Sequence, residues 1–308
     1  MSPPVRRLLK YPWHTAHDYE LAKIGHQFLY LTDTHRTWDL AQRPLPDNIR
    51  WVPSMDAEST DAMILHVDQW TLQEPSKRAL VETRAAVYPG PKIVINHGCN
   101  LVDGCSSSQM ADFVSWADAV VCNSSTAWRL WDLPRSRYIH HGMDIDEWPL
   151  TTGANHGVTV VQAYGKMHMA YRNHEGVERA ERKVPVTWVG RDRTFRSFDA
   201  YREFLRHRTI FYSPSHASPN PRARTEAMLC GLAIVTTNTH DEDRYITHGV
   251  NGFHSNDIDE LIDILAYLQE NPGIAMEIGR RGRETARELF TTERFAAQWD
   301  LLLDEVLP

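Results

Sequence analysis

Cysteine is scarce in this chain of 308 residues. Its four copies, Cys99, Cys105, Cys122 and Cys230, form no Cys-x-x-Cys and no pair of pairs. That spacing excludes a zinc-ribbon reading and a disulfide framework. Cys122 and Cys230 stand in apolar stretches and read as small buried hydrophobes, which suits a reducing cytoplasm. Long apolar runs are also missing. No stretch approaches the roughly 18 residues that a membrane span needs. The opening residues Met1-Ser2-Pro3-Pro4-Val5-Arg6-Arg7-Leu8 lack the apolar core of a signal peptide, so a cytoplasmic location is expected. Excess basic charge is absent too: the net charge is −7. A chain whose main work is gripping nucleic acid usually carries a basic domain, although a small basic cleft stays open. Internal repeats and low-complexity segments are lacking.

What is present is an ordinary globular composition, 42% hydrophobic and 24% charged. At about 150 residues per domain, the length suggests two domains, each able to bury a core. Ten tryptophans and sixteen histidines stand out. They read either as core and rim aromatics or as a cleft rich in stacking and hydrogen-bonding groups.

Strands and helices alternate along the chain, which predicts parallel sheets covered on both faces. Lys92–Asn96, followed by His97-Gly98, and Ala119–Ser124 read as buried parallel strands. Tyr138–Gly142 reads as a third, shorter one. Helices are expected at Asp18–Gly25 and Gln109–Trp116. The polar segment Thr151–Gly157 reads as a linker. Beyond it, Val158–Val161, Val184–Val189, Thr209–Tyr212 and Leu232–Thr236 continue the strands. A helix over Asp259–Leu268 places Leu261, Ile262, Leu265 and Leu268 on one face. A last helix, Thr292–Val306, carries a stripe of Phe295, Trp299, Leu302 and Leu303 that must pack on something.

The most informative stretch runs from Ser213 to Thr236. It reads as strand end, polar loop, short helix, glycine stop and next strand. Pro221 suits the helix start and Gly231 the stop. Ligands of open α/β sheets bind beyond the carboxyl ends of strands, and a helix start offers free N–H groups to an anion. Glu226 near that start has two carboxylate oxygens that could accept ribose hydroxyls. Spacing alone equally allows it to complement the helix dipole.

This stretch resembles the retaining glycosyltransferases of family 4, whose fold is called GT-B. Pro214-Ser215, Glu226-Ala227-Met228, Gly231 and Ile234-Val235 match the family pattern. Gly249-Val250-Asn251-Gly252-Phe253 resembles its Gly-x-Asn-Gly turn. Ala117-Asp118, the strand after it and Ser124 resemble its Ala-Asp-strand-Ser element. His141-Gly142-Met143-Asp144 resembles its linker signature. The resemblance implies that Glu226 binds ribose and that cations stabilise the leaving diphosphate. Gly165-Lys166 and Arg172-Asn173-His174 resemble the elements that supply those cations. His97 matches a strand-end histidine that faces the donor sugar. Ser218, His216, Arg222, Gly165 and Gly190 are grouped with Glu226 around the donor.

Two departures stand beside the match. The usual Gly-rich loop after the first strand is replaced by Tyr11-Pro12-Trp13-His14-Thr15-Ala16-His17-Asp18. Trp13, His14 and His17 read as an acceptor-facing wall, with Trp38, Arg43-Pro44 and Trp51 assigned to the same rim. His14 and His17 alone are too few ligands for a metal, so none is expected, and no Asp-x-Asp is assigned a metal. The second departure is Ser218, eight positions before Glu226, where the family has its first glutamate; His216 or Asn220 could substitute for it, and Arg222 and Arg224 would add positive charge.

The expectation is therefore an α/β GT-B fold of two Rossmann-like domains facing across a cleft. Residues 1–150 would form the acceptor side, with 291–308 packing back on it, and 151–290 would hold the nucleotide. The expected activity is transfer of a sugar, with retention, from a nucleoside diphosphate sugar to a hydroxyl of a glycan, lipid, small molecule or modified base, without a cofactor. Homo-oligomerisation is left open. The alternatives are a non-catalytic GT-B protein that binds a nucleotide sugar or glycan, and a viral-type DNA-base glycosyltransferase.

Overall fold

The computed structural model describes residues 4–34, 36–99, 105–163 and 172–308. The chain divides into two compact units: Met1–Met143 with Thr292–Pro308, and Asp144–Thr291.

The first unit contains strands β1 (Arg7–Lys10), β2 (Gln27–Leu31), β3 (Ile49–Val52), β4 (Ala62–Val67), β5 (Lys92–Asn96), β6 (Ala119–Cys122) and β7 (Ser136–Tyr138). They form one parallel sheet in the order β3-β2-β1-β4-β5-β6-β7. Successive side chains of a strand point to opposite faces. Leu8, Phe28, Tyr30, Ile64 and Ile95 therefore enter one core layer, and Leu9, Leu29, Leu65 and Val94 the other. The first layer is covered by α1 (Thr15–Ala22) and by α11 (Thr292–Val306). The second is covered by α2 (Pro75–Val87), α3 (Ser107–Phe113) and α4 (Ser125–Trp131). Burying Phe295, Leu302 and Leu303 of α11 contributes about 1.5–3 kcal/mol each. That outweighs its exposed ion pairs, Arg137–Glu305 and Arg6–Asp304, worth at most about 1 kcal/mol apiece.

The second unit contains β8 (Val158–Val161), β9 (Val186–Val189), β10 (Ile210–Ser213), β11 (Ala233–Thr236) and β12 (Phe253–His254). Its parallel order is β12-β11-β10-β8-β9. The helices are α5 (His174–Glu181), α6 (Phe198–Arg206), α7 (Arg222–Leu229), α8 (Glu242–Tyr245), α9 (Ile258–Glu270) and α10 (Pro272–Leu289). Residues 151–155 are tied to this unit: the amides of Thr151, Thr152 and Asn155 donate to the carbonyls of Cys230, Arg206 and His207. Among the described residues no helix is long and apolar enough to cross a membrane.

Strand order reverses between β1 and β4 in the first sheet, and between β8 and β10 in the second. Such switch points open a crevice beyond the carboxyl ends of the strands, where ligands of α/β sheets bind. The two crevices are built by Tyr11–His17 with the end of β4, and by residues 162–163 with the loop 214–221.

The helix expected at Gln109–Trp116 is Ser107–Phe113, and two more elements differ from expectation. The strand expected at Tyr138–Gly142 is Ser136–Tyr138. It pairs with β6 alone and lies half-buried at the sheet edge, so its Ser-Arg-Tyr composition hid it beside apolar Ile139. Helix α1 begins at Thr15 rather than Asp18, because the His14 carbonyl already accepts from His17 and Asp18.

Candidate functional site

Strand β10 ends at Ser213, and the loop 214–221 carries the chain to α7. Asn220 takes a left-handed conformation with φ +47°, and Pro221 precedes the helix without a side-chain cap. The helix closes in a Schellman turn: Gly231 (φ +79°) donates to Met228 and Leu232 donates to Ala227. Glu226 lies in the second turn of α7, not at its start, and is buried. The dipole reading loses force there, since that effect fades beyond the first turn. From α6, the Tyr201 hydroxyl donates to Glu226 Oε2 at 2.7 Å.

Of the other loop residues, His216 is exposed, while Ser218 and Arg222 are half-buried. Arg224 does not add positive charge to the loop as expected. It is buried, donates to Glu242 Oε1 at 2.5 Å and contacts the Tyr245 hydroxyl. Burial alone would raise the Glu242 carboxyl; the Arg224 charge and the His240 amide outweigh that and hold it below the ordinary range.

At the other side of this crevice, Arg172 is half-buried just before α5. Asn173 caps α5, its Oδ1 accepting from the Gly176 amide at 2.7 Å. Gly165 and Lys166 lie outside the described residues. Gly190 has φ +101°, and a Cβ there would stand 2.5 Å from the Gln162 carbonyl oxygen. Close approach of the β8 and β9 ends thus accounts for that glycine without any ligand.

In the first unit the structure brings Trp13, His17 and His97 together, and adds His66 of β4. Trp13 stacks on His66 (centroids 5.4 Å apart, planes 9° apart) and on His97 (5.7 Å, 21°). The His17 ring meets the His97 ring edge-on at 4.7 Å. His66 Nδ1 lies 2.9 Å from His97 Nε2, and the Asn123 amide nitrogen lies 3.3 Å from His97 Nδ1. Desolvation, and then the charge of Lys10, push the fully buried His66 well below the ordinary histidine range, so it is neutral. His14 is exposed and outside the cluster. Trp38 and Trp51 pack instead on Tyr30, which belongs to the core layer opposite the one Trp13 covers. His66 escaped the sequence reading because it sits inside an apolar strand; its only signal was a histidine where an aliphatic residue would fit.

Several motif residues have local structural work. Asp118 accepts from the Lys92 amide at 2.8 Å, and Ser124 caps α4. Buried Asn251 accepts from the Thr247 amide and donates to the Tyr245 carbonyl, holding the turn at Gly249–Gly252. Three Asp-x-Asp triplets do occur, at Asp144, Asp241 and Asp257. Asp144 accepts from the Asp146 amide, Asp257 caps α9, and the glutamate between Asp241 and Asp243 binds Arg224.

Residues 185–285 match the family model described as glycosyl transferases group 1. No curated protein sequence matches the chain. Among solved structures, the chain is similar to sucrose-phosphate synthase from Thermosynechococcus elongatus, with a TM-score of 0.73 at 13% identity over 97% of this chain and 98% of that one. It is similar to HepE from Anabaena in complex with UDP-glucose, with a TM-score of 0.70 at 15% identity over 97% and 100%. A glycosyltransferase from Rickettsia africae gives 0.67 at 12% identity over 98% of each chain. The fold is GT-B, as the sequence motifs implied.

Proposed function

We propose that this chain transfers a sugar from a nucleoside diphosphate sugar to a hydroxyl acceptor, with retention of anomeric configuration. The observation that carries the reading is buried Glu226, inside the family-matched residues 185–285 and following the loop that leaves the β8–β10 switch point. A buried carboxylate is costly unless hydrogen-bonded, and the Tyr201 hydroxyl is one donor that holds this one in place. Ribose hydroxyls are the complementary donors. The UDP-glucose bound by the similar HepE supports a donor of this class.

In this reading Arg172 and Lys166 stabilise the charge that develops on the diphosphate, and no metal is assigned to that step. The bond between the anomeric carbon and the diphosphate oxygen breaks as the acceptor oxygen bonds to the same carbon. The acceptor proton passes to the departing phosphate oxygen. Trp13 and His97 would face the acceptor and the donor sugar.

The test is a panel of nucleoside diphosphate sugars with hydroxyl acceptors, following release of the nucleoside diphosphate and the anomeric NMR signal of the product. Release with a retained anomer is expected. Tight nucleotide binding without release would support the non-catalytic binder, for which the serine at 218 is the motive.

A further inference from the structure

We infer that His17, His66 and His97 form a binding site for one divalent transition-metal ion, of the Zn²⁺ or Co²⁺ class. This goes beyond the donor reading and does not depend on it. One ligating nitrogen from each of the three rings lies within 4.8 Å of the other two. The rings come from three separate elements: α1, β4 and the residue that follows β5. An ion with metal–nitrogen bonds of about 2.0–2.1 Å in tetrahedral geometry holds its ligand nitrogens roughly 3.3 Å apart. The 2.9 Å between His66 Nδ1 and His97 Nε2 and the 4.8 Å limit bracket that value, so small ring rotations suffice.

The ligands are held on rigid supports, as a metal site requires. The His66 backbone is pinned by Tyr11, whose hydroxyl accepts from the His66 amide at 3.1 Å. The His97 amide donates to the Val67 carbonyl at 2.8 Å. Trp13 lies over both rings and fixes their planes. Asn123, with its amide turned so that the oxygen faces His97 Nδ1, supplies the outer hydrogen bond that metal-bound histidines usually make. Of the two cations whose charge acts on His66, buried Lys10 pairs with Asp18 Oδ1 at 2.5 Å, and Arg36 lies on Trp13.

All-imidazole donor sets suit Zn²⁺, Co²⁺, Ni²⁺ and Cu²⁺ rather than Mg²⁺ or Ca²⁺. Three protein ligands leave the fourth position to water or an acceptor oxygen. The sequence expectation of no metal rested on His14 and His17 as the pair; the fold replaces His14 with His66 and His97.

The test uses the full chain without an affinity tag of histidines. Metal content is measured after growth with added zinc, and the chelator-stripped protein is titrated with Co²⁺ while its visible d–d bands are recorded. The expected result is about one equivalent bound, with bands of tetrahedral or five-coordinate Co²⁺. His17→Gln and His66→Gln should each weaken Co²⁺ binding at least about tenfold, while exposed His248→Gln in the other unit leaves it unchanged. Circular dichroism checks that each variant folds, and His17→Gln, on helix α1, covers the case in which His66→Gln does not. Absence of bound zinc together with featureless Co²⁺ spectra would overturn the proposal. So would one equivalent whose affinity His17→Gln leaves intact.

Discussion

The Tyr201 hydroxyl donates to Glu226 Oε2 at 2.7 Å, joining α6 to α7 in a buried setting. This bond orients the carboxylate proposed to bind ribose. Tyr201→Phe should cost about 1.5–3 kcal/mol of folding stability, because the charged acceptor loses a partner it cannot replace with bulk water. The same variant should weaken nucleoside diphosphate binding, while Glu226→Ala weakens it further, by about 1.5–3 kcal/mol. Urea unfolding and calorimetry measure the two effects separately. Unchanged nucleotide affinity in Glu226→Ala would remove Glu226 from the site.

Arg172→Ala should lower turnover more than it weakens binding of the free nucleoside. A cation placed for charge that appears as the diphosphate leaves acts mainly in the transition state. Its half-buried place before α5 lets the positive end of that helix share the work. Steady-state kinetics beside nucleoside calorimetry decides this; equal turnover in parent and variant refutes the role.

Trp13→Ala should impair acceptor use and leave nucleotide affinity intact. The indole lies over His66 and His97 at the first sheet's switch point, and the Arg36 guanidinium covers it at 4.5 Å from the ring centroid. Acceptor and donor KM values, measured separately, distinguish this from a general packing loss.

What could be read from sequence were the local signals. Gly231 and Pro221 bounded α7 because turn chemistry is written in neighbouring residues, and α11 showed its stripe at helical spacing. The strands β1 to β4 were not read, because short runs such as Arg7–Lys10 and Ile49–Val52 carry too little periodicity. A spaced motif singled out Glu226 as the candidate ribose ligand, and the structure buries it in α7. Tyr201 lies 25 residues from its partner and His66 lies 31 from His97. Only the order of parallel strands brings such pairs together, and no local pattern encodes that order.

The Arg224–Glu242 pair gives a pH prediction. The folded Glu242 carboxyl is held below its ordinary value of 4.5. Its contribution to stability is therefore present above that value and is lost as the pH falls through the lower folded one. Glu242→Gln should destabilise the fold at neutral pH by about 3–5 kcal/mol, since it leaves Arg224 buried without a counter-charge. The gap between parent and variant should narrow in acid. Urea unfolding at neutral pH and below the ordinary carboxyl range checks both statements.

The last prediction concerns the donor sugar. Ser218 stands where the family pattern places its first glutamate, and it is half-buried in the loop between β10 and α7. A serine is shorter and neutral, and brings one donor hydrogen where a carboxylate brings only acceptors. A side chain of that kind should leave the proposed donor pocket wider and less negative at this point. Arg224 adds nothing to that balance, because Glu242 neutralises it. The remaining difference is the lost carboxylate together with half-buried Arg222 and the nearby His216 and Asn220. Those groups favour a donor that carries an acidic or acetylated substituent over a neutral hexose. Turnover against matched neutral and acidic nucleotide sugars should show the acidic or acetylated donors preferred. Ser218→Glu should reverse that order, because a carboxylate repels an acidic substituent and accepts from neutral hydroxyls. Preference for an ordinary hexose in the parent, undiminished by Ser218→Ala, would show that position 218 does not select the sugar.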